Sequence, residues 1–152
     1  MQNTKDMTPQ ELAEACAKLM WDGDNASQKL GMKILHIAPG EADISMTITE
    51  DMTNGHGNCH GGYIFSLADS AFAFACNTYN QMTVAQHCSV TYIAPGTLGD
   101  FLTASAREIS RTGRSGIYDI RVIREDGKVI AEFRGHSRTI NRTFLPTEEQ
   151  PA

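Results

Sequence analysis

The run Gly61-Gly-Tyr-Ile-Phe-Ser-Leu-Ala-Asp69-Ser-Ala-Phe-Ala-Phe-Ala-Cys-Asn77 is almost wholly apolar and contains a single carboxylate. Read as a helix, it is greasy on nearly every side, and such a helix is stable only when buried within a larger body. The rest of the chain must therefore wrap it. Its few polar residues fall at helical spacing, Ser66, then Asp69 and Ser70, then Asn77, and make one narrow stripe. That stripe is expected to line a groove, a subunit seam or a polar cavity. An acid placed there costs free energy unless something uses it.

The loop before the helix, Asn54-Gly-His-Gly-Asn-Cys-His60, supplies a second reagent. Gly61 and Gly62 at the helix start leave backbone N–H groups pointing outward, with the positive end of the helix dipole behind them. Such a site stabilises a developing oxyanion.

Around this helix the chain punctuates clearly. Thr8-Pro9-Gln10-Glu11 reads as a capping box with proline at the first helical position, and Leu12, Cys16, Leu19 and Met20 give an apolar face before Gly23 ends the helix. Residues 25–27 read as a loop. Strands are expected at 30–38, 42–49, 83–93, 101–112, 116–125 and 128–140, separated by Pro39-Gly40, Pro95-Gly96, Gly113 and Asp126-Gly127. The order helix, two strands, buried helix, four strands defines an α+β fold with a mostly antiparallel sheet. A length of 152 residues fits one domain, 1–140, followed by a polar tail at 141–152 expected to be disordered.

Composition excludes several classes. No apolar run is long enough to span a bilayer, and the polar, acidic first residues do not resemble a targeting peptide, so a cytoplasmic protein with no membrane partner is expected. Cys16, Cys59, Cys76 and Cys88 match neither a zinc ribbon nor a disulfide framework and read as free thiols. A net charge of −5 argues against nucleic acid as a partner. Charge is nonetheless uneven: residues 101–142 hold nine basic groups against five acidic ones, and eight of the nine are arginine. Arginine holds phosphate in a planar fork, although the commoner fate of strand arginines is a solvated face. Arg114, beside Gly113 and with Arg111 nearby, is the candidate for phosphate contact.

The string Asn54-Gly-His, Cys59-His60-Gly61-Gly62, Phe65-Ser66-Leu67-Ala68-Asp69, Ala71-Phe72-Ala73 and Ala75-Cys76-Asn77 closely resembles the phenylacetate-pathway type of acyl-CoA thioesterase, which has the hotdog fold. Ile93-Ala94-Pro95-Gly96 echoes an Arg-Pro-Gly of that family. Gly113 to Asp119 and Phe133-Arg134-Gly135 also fall in place, so the resemblance spans roughly residues 28–140. It implies a long antiparallel sheet wrapped around the central helix, and hydrolysis of an acyl- or aryl-CoA. Gly61 would donate its N–H to the thioester carbonyl, and Asp69 would act as general base or as nucleophile. Asn54 would orient water or the acyl carbonyl, and His60 would help shape the oxyanion pocket. In relatives the acid and the glycine come from different subunits, which implies a homodimer at minimum; a homotetramer is the expected assembly, with dimer against tetramer left open. One departure stands out: where some relatives place Thr one turn after the acid, this chain has Ala73. Ser70 substitutes only if its side chain reaches the site.

The chemistry is self-sufficient. A thioester carbonyl is electrophilic enough for an oxyanion donor and one positioned base, so no metal or cofactor is expected, CoA being part of the substrate. Apolar neighbours should raise the Asp69 pKa toward useful basicity. A metal site at His56, Cys59 and His60, with His36, His87 or His136 recruited, lacks a zinc spacing. A Cys59–His60 nucleophilic pair is equally poor, since such partners normally meet through the fold. A non-catalytic acyl-CoA-binding module and a hydratase or dehydratase are the remaining alternatives; the latter usually uses a His on the helix, and 63–77 has none. Tyr63, Phe72 and Phe74 line an aromatic pocket or the core, the core being commoner.

Overall fold

The computed structural model describes residues 4–147. The Thr8 hydroxyl accepts from the Glu11 N–H, and Glu11 returns the bond to the Thr8 N–H, so the capping box starts helix α1 (Pro9–Gly23). The segment expected to be a loop is instead a one-turn helix, α2 (Asn25–Lys29), because the Asp24 carboxylate caps the Ser27 N–H. Leu30 closes that turn on Ala26, and Gly31 and Met32 bond back to Gln28 and Ser27, which delays strand β1 to Lys33–Ala38.

Strand β2 (Glu41–Thr47) follows, then a 3-10 turn at Glu50–Met52 and the long helix α3 (Gly61–Cys76). Strands β3 (Thr83–Tyr92), β4 (Phe101–Thr112), β5 (Ser115–Arg124) and β6 (Val129–Thr139) complete the fold. The six strands form one antiparallel sheet in the order β1-β2-β4-β5-β6-β3, wrapped around α3. This is the hotdog arrangement.

Alternation along the strands explains the wrap. Ile44 and Met46 of β2, Leu102, Ala104 and Ala106 of β4, Tyr118, Ile120 and Val122 of β5 and Phe133 of β6 all point at α3 and are buried. From the helix, Phe72 meets Tyr118 and Phe133 at ring separations of 5.6 and 6.1 Å, and Phe65 meets Phe133 at 5.3 Å. Phe72 and Phe74 are therefore core, while Tyr63 is only half-buried. At the closest approach a Cβ on Gly135 would lie 2.7 Å from the Phe72 ring, so only glycine lets β6 pass there.

The opposite sheet face carries charge. Arg107 bonds Asp43 at 2.8 Å, Arg121 bonds Glu132 at 2.7 Å, and Arg134 holds Asp119 through two bonds of 2.6 and 2.8 Å. Most of the arginine-rich segment thus balances the acids of neighbouring strands. Of the tail, residues 148–152 lie outside the described residues; Asn80 holds the rest by accepting from the Phe144 and Leu145 N–H groups.

The two sheet edges differ. Along β1, Gln10 of α1 donates to the Ile37 carbonyl at 2.7 Å and blocks further pairing there. Strand β3 pairs only with β6 among the described residues, is exposed along most of its length, and contains no Asp, Glu, Lys, Arg or Pro.

Candidate active site

The loop at 53–60 is built to present the start of α3. Thr53 and Cys59 pair across it, the Asn54 N–H reaches the Asn58 carbonyl at 2.8 Å, and the Asn54 side-chain oxygen accepts from the His56 and Asn58 N–H groups. With that oxygen occupied, the Asn54 amide NH2 is the end left to meet a ligand. The Cys59 N–H bonds the Gly96 carbonyl at 2.7 Å, which ties the loop to the Pro95-Gly96 turn.

His60 is the N-cap of α3: its Nδ1 accepts from the Gly62 N–H at 2.9 Å. With Nδ1 accepting, Nε2 is the ring nitrogen left to donate. The Gly61 N–H, by contrast, has no acceptor among the described residues, and it opens onto a groove of about 480 Å³ lined by Asn54, Gly61, Ile64, Tyr92 and Pro95 among others. A free N–H with a helix dipole behind it, at the wall of a groove, has the chemistry to stabilise a developing negative charge.

Asp69 lies eight residues further along α3, about 12 Å by helical rise, and so outside the Gly61 groove of its own chain. It is half-buried, and burial raises its pKa above the usual carboxylate value. Facing it from β3, the Cys88 thiol lies 4.0 Å from Oδ1; burial and the Asp69 charge push that thiol up as well, keeping it a protonated, weak donor. Nothing in the sequence marked Cys88, because only the β3–β6 register, pairing it with Gly135 above Phe72, turns it inward.

The expected polar stripe divides. Ser66 bonds its own helix at the Gly62 carbonyl, Ser70 meets Ser27 of α2 at 2.9 Å, and Asn77 caps the helix end onto Thr83. Ser70 is thus engaged away from Asp69 and does not replace the missing threonine at Ala73. The arginine candidates lie at the far end of α3: Arg111 stacks 3.6 Å over the Tyr79 ring beside Glu108, and Arg114 donates to the Thr139 carbonyl at 3.0 Å. They border a small cleft with Gly113 and Ser115.

Cys59 is buried and its thiol is pushed up to about 11, a poor nucleophile, while the adjacent His60 ring is committed to Gly62. Among the described residues no three His, Cys, Asp or Glu side chains gather as metal ligands. His36 bonds Glu41, and His87 faces His136 at 5.5 Å across two strands, remote from the loop.

A hotdog sheet around an acid-bearing helix, with a glycine N–H presented by a capped loop, defines a thioesterase-type protein. The chain belongs to the thioesterase superfamily, whose pattern residues 56–131 match. It is 42% identical over 128 residues, 84% of this chain and 91% of the other, to the acyl-coenzyme A thioesterase PaaI of Escherichia coli. The solved structure of the PaaI protein from the E. coli phenylacetic acid degradation operon superposes with a TM-score of 0.88 at 40% identity, covering 90% of this chain and 99% of that one. A mutant form of the phenylacetic acid degradation protein PaaI from Thermus thermophilus matches at 38% identity and a TM-score of 0.74, covering 77% of this chain and 100% of its own.

Proposed function

We propose that this protein hydrolyses the thioester of an acyl- or aryl-CoA, phenylacetyl-CoA- and hydroxyphenylacetyl-CoA-like substrates first among them, to the free acid and CoA. The observation that carries this is the unpaired Gly61 N–H at the groove wall beside the Asn54 amide. The substrate carbonyl oxygen accepts from that N–H. Water adds to the carbonyl carbon as Asp69 takes its proton, the negative charge passes to the oxygen held by Gly61, and collapse expels the CoA thiolate, which solvent protonates. In the nucleophilic variant the Asp69 carboxylate itself adds and expels the thiolate, and water then opens the mixed anhydride. One oxyanion donor of this kind lowers the barrier by about 2.7–4 kcal/mol.

Separation of Asp69 from Gly61 within one chain favours a site shared between two subunits. The exposed edge of β3, which carries no Asp, Glu, Lys or Arg, is the natural seam, unlike the blocked edge of β1, since a long unprotected edge strand recruits a partner strand. Asp69 lies directly behind that edge through Cys88. The smallest assembly is then a homodimer, and two such dimers would give a tetramer. The CoA phosphates are assigned to Arg114, Arg111 and the Gly113 turn, where arginine donors border an open cleft. The four free thiols favour a reducing, cytoplasmic setting.

Thiol release from a panel of acyl-CoAs, followed with a thiol-reactive dye, tests the reading. Asp69→Asn should retain CoA-ester affinity and lose more than tenfold in turnover, about 1.4 kcal/mol or more. Near-normal turnover by that variant contradicts the assignment.

A further inference from the structure

The oxyanion donor belongs to the most pliable part of a helix. Gly61 and Gly62 are successive glycines in the first turn, where backbone freedom is greatest. Yet the peptide group that joins them is held at both of its polar ends. Its N–H, that of Gly62, donates to His60 Nδ1 at 2.9 Å, and its carbonyl, that of Gly61, accepts from the Tyr92 hydroxyl at 2.9 Å. His60 comes from the loop and Tyr92 from the end of β3, so two separate elements grip one peptide. The Tyr92 ring also lies on the Gly61 α-carbon: a Cβ built there would meet Cζ at 3.0 Å and the hydroxyl at 3.1 Å. A side chain at position 61 would thus press on the Tyr92 ring and force it to give by a few tenths of an ångström.

Tyr92 is 48% exposed, although its hydroxyl is bonded and its ring packed. The exposed part forms a wall of the groove onto which the Gly61 N–H opens. One residue therefore touches the Gly61 α-carbon, the peptide that follows the donor N–H, and the space an acyl group would fill.

We propose that Tyr92 is a positioning residue for the Gly61 donor, clamping the Gly61–Gly62 peptide against His60, and that its ring sets the width of the acyl groove. This rests on the thioesterase reading for its catalytic consequence, but not for the clamp. A donor fixed in advance spends no free energy on reorganisation as the oxyanion forms, so loosening it weakens transition-state stabilisation more than substrate binding. The hydroxyl and the ring have separable effects. Removing the hydroxyl frees the peptide and leaves the wall; removing the ring does both.

Tyr92→Phe and Tyr92→Ala, made in the full chain, separate the two. Tyr92→Phe should lower kcat roughly three- to tenfold, one lost hydrogen bond's worth, while KM stays within about twofold and acyl preference is unchanged. Tyr92→Ala should add a shift in kcat/KM toward bulkier acyl groups. Independently of any turnover, amide hydrogen exchange at Gly62, whose N–H is held by His60, should quicken at least about fivefold in Tyr92→Phe, while amides of β5 and β6 keep their protection. Unchanged exchange and unchanged kcat in Tyr92→Phe overturn the clamp. Unchanged acyl preference in Tyr92→Ala overturns the groove-width role. Wild-type protein inert on every acyl-CoA would refute the thioesterase reading instead, with the exchange measurement still deciding the clamp.

Discussion

Burial makes the Asp69 carboxylate harder to ionise than in the unfolded chain, and this has a thermodynamic signature apart from catalysis. With the folded pKa raised, the folded state binds more protons across the window between the unfolded and folded values, so stability falls as pH rises through it. Above that window the buried charge is a standing cost. Asp69→Asn should therefore melt higher than wild type at pH 7, with the difference vanishing as pH falls below the ordinary carboxylate range; thermal melts across pH check this, and a variant that melts lower at pH 7 contradicts it. Asp69 is legible in the sequence as a lone acid in a greasy run, and Gly61 as a helix start. Cys88 and Tyr92 are not, because both reach α3 from a strand whose alternation is blurred by exposure and a register shift at Ala85/His87. The contact between Gly61 and a tyrosine thirty-one residues away is one that no local pattern encodes.

Elements are legible where local chemistry and burial agree. The capping box of α1 and the apolar run of α3 point the same way at both levels, and β4 begins and ends at the predicted residues because its inward positions alternate cleanly. Helix α2 escapes detection since its five residues have no periodicity; it exists because Asp24 caps it and Ser27 docks on Ser70. The polar stripe of α3 is a correct pattern with a composite meaning, three of its four members serving helix ends and packing. The β4–β5 turn is subtler. Its arginines look like a phosphate clasp in sequence, and in the fold Arg111 is held by Tyr79 and Glu108, while Arg114 spends part of its fork on Thr139. Arg114→Glu should raise KM for acyl-CoA several-fold and leave kcat nearly unchanged, by steady-state kinetics at low salt. An unaltered KM would remove this turn from the CoA site.

At the scale of the whole molecule, the proposed mechanism divides the site between subunits, because one protomer holds its two halves too far apart to meet. Gly61 and Asn54 open at one end of α3, and Asp69 faces the unprotected β3 edge about 12 Å along the helix. On that proposal a two-fold axis perpendicular to the edge reverses one α3 against the other, bringing each acid to the partner's glycine and creating two equal sites. Mixing two inactive proteins tests this directly. Asp69→Asn lacks the acid; Asn54→Asp keeps the loop-forming oxygen and loses the amide donor. After the two are unfolded together and refolded, a mixed dimer pairs the intact Asp69 of one subunit with the intact Asn54 of the other. Random pairing then predicts recovery of about a quarter of wild-type acyl-CoA hydrolysis from two inactive parents. Activity no higher than that of the parents, in a mixture shown to contain mixed dimers, would contradict the shared site.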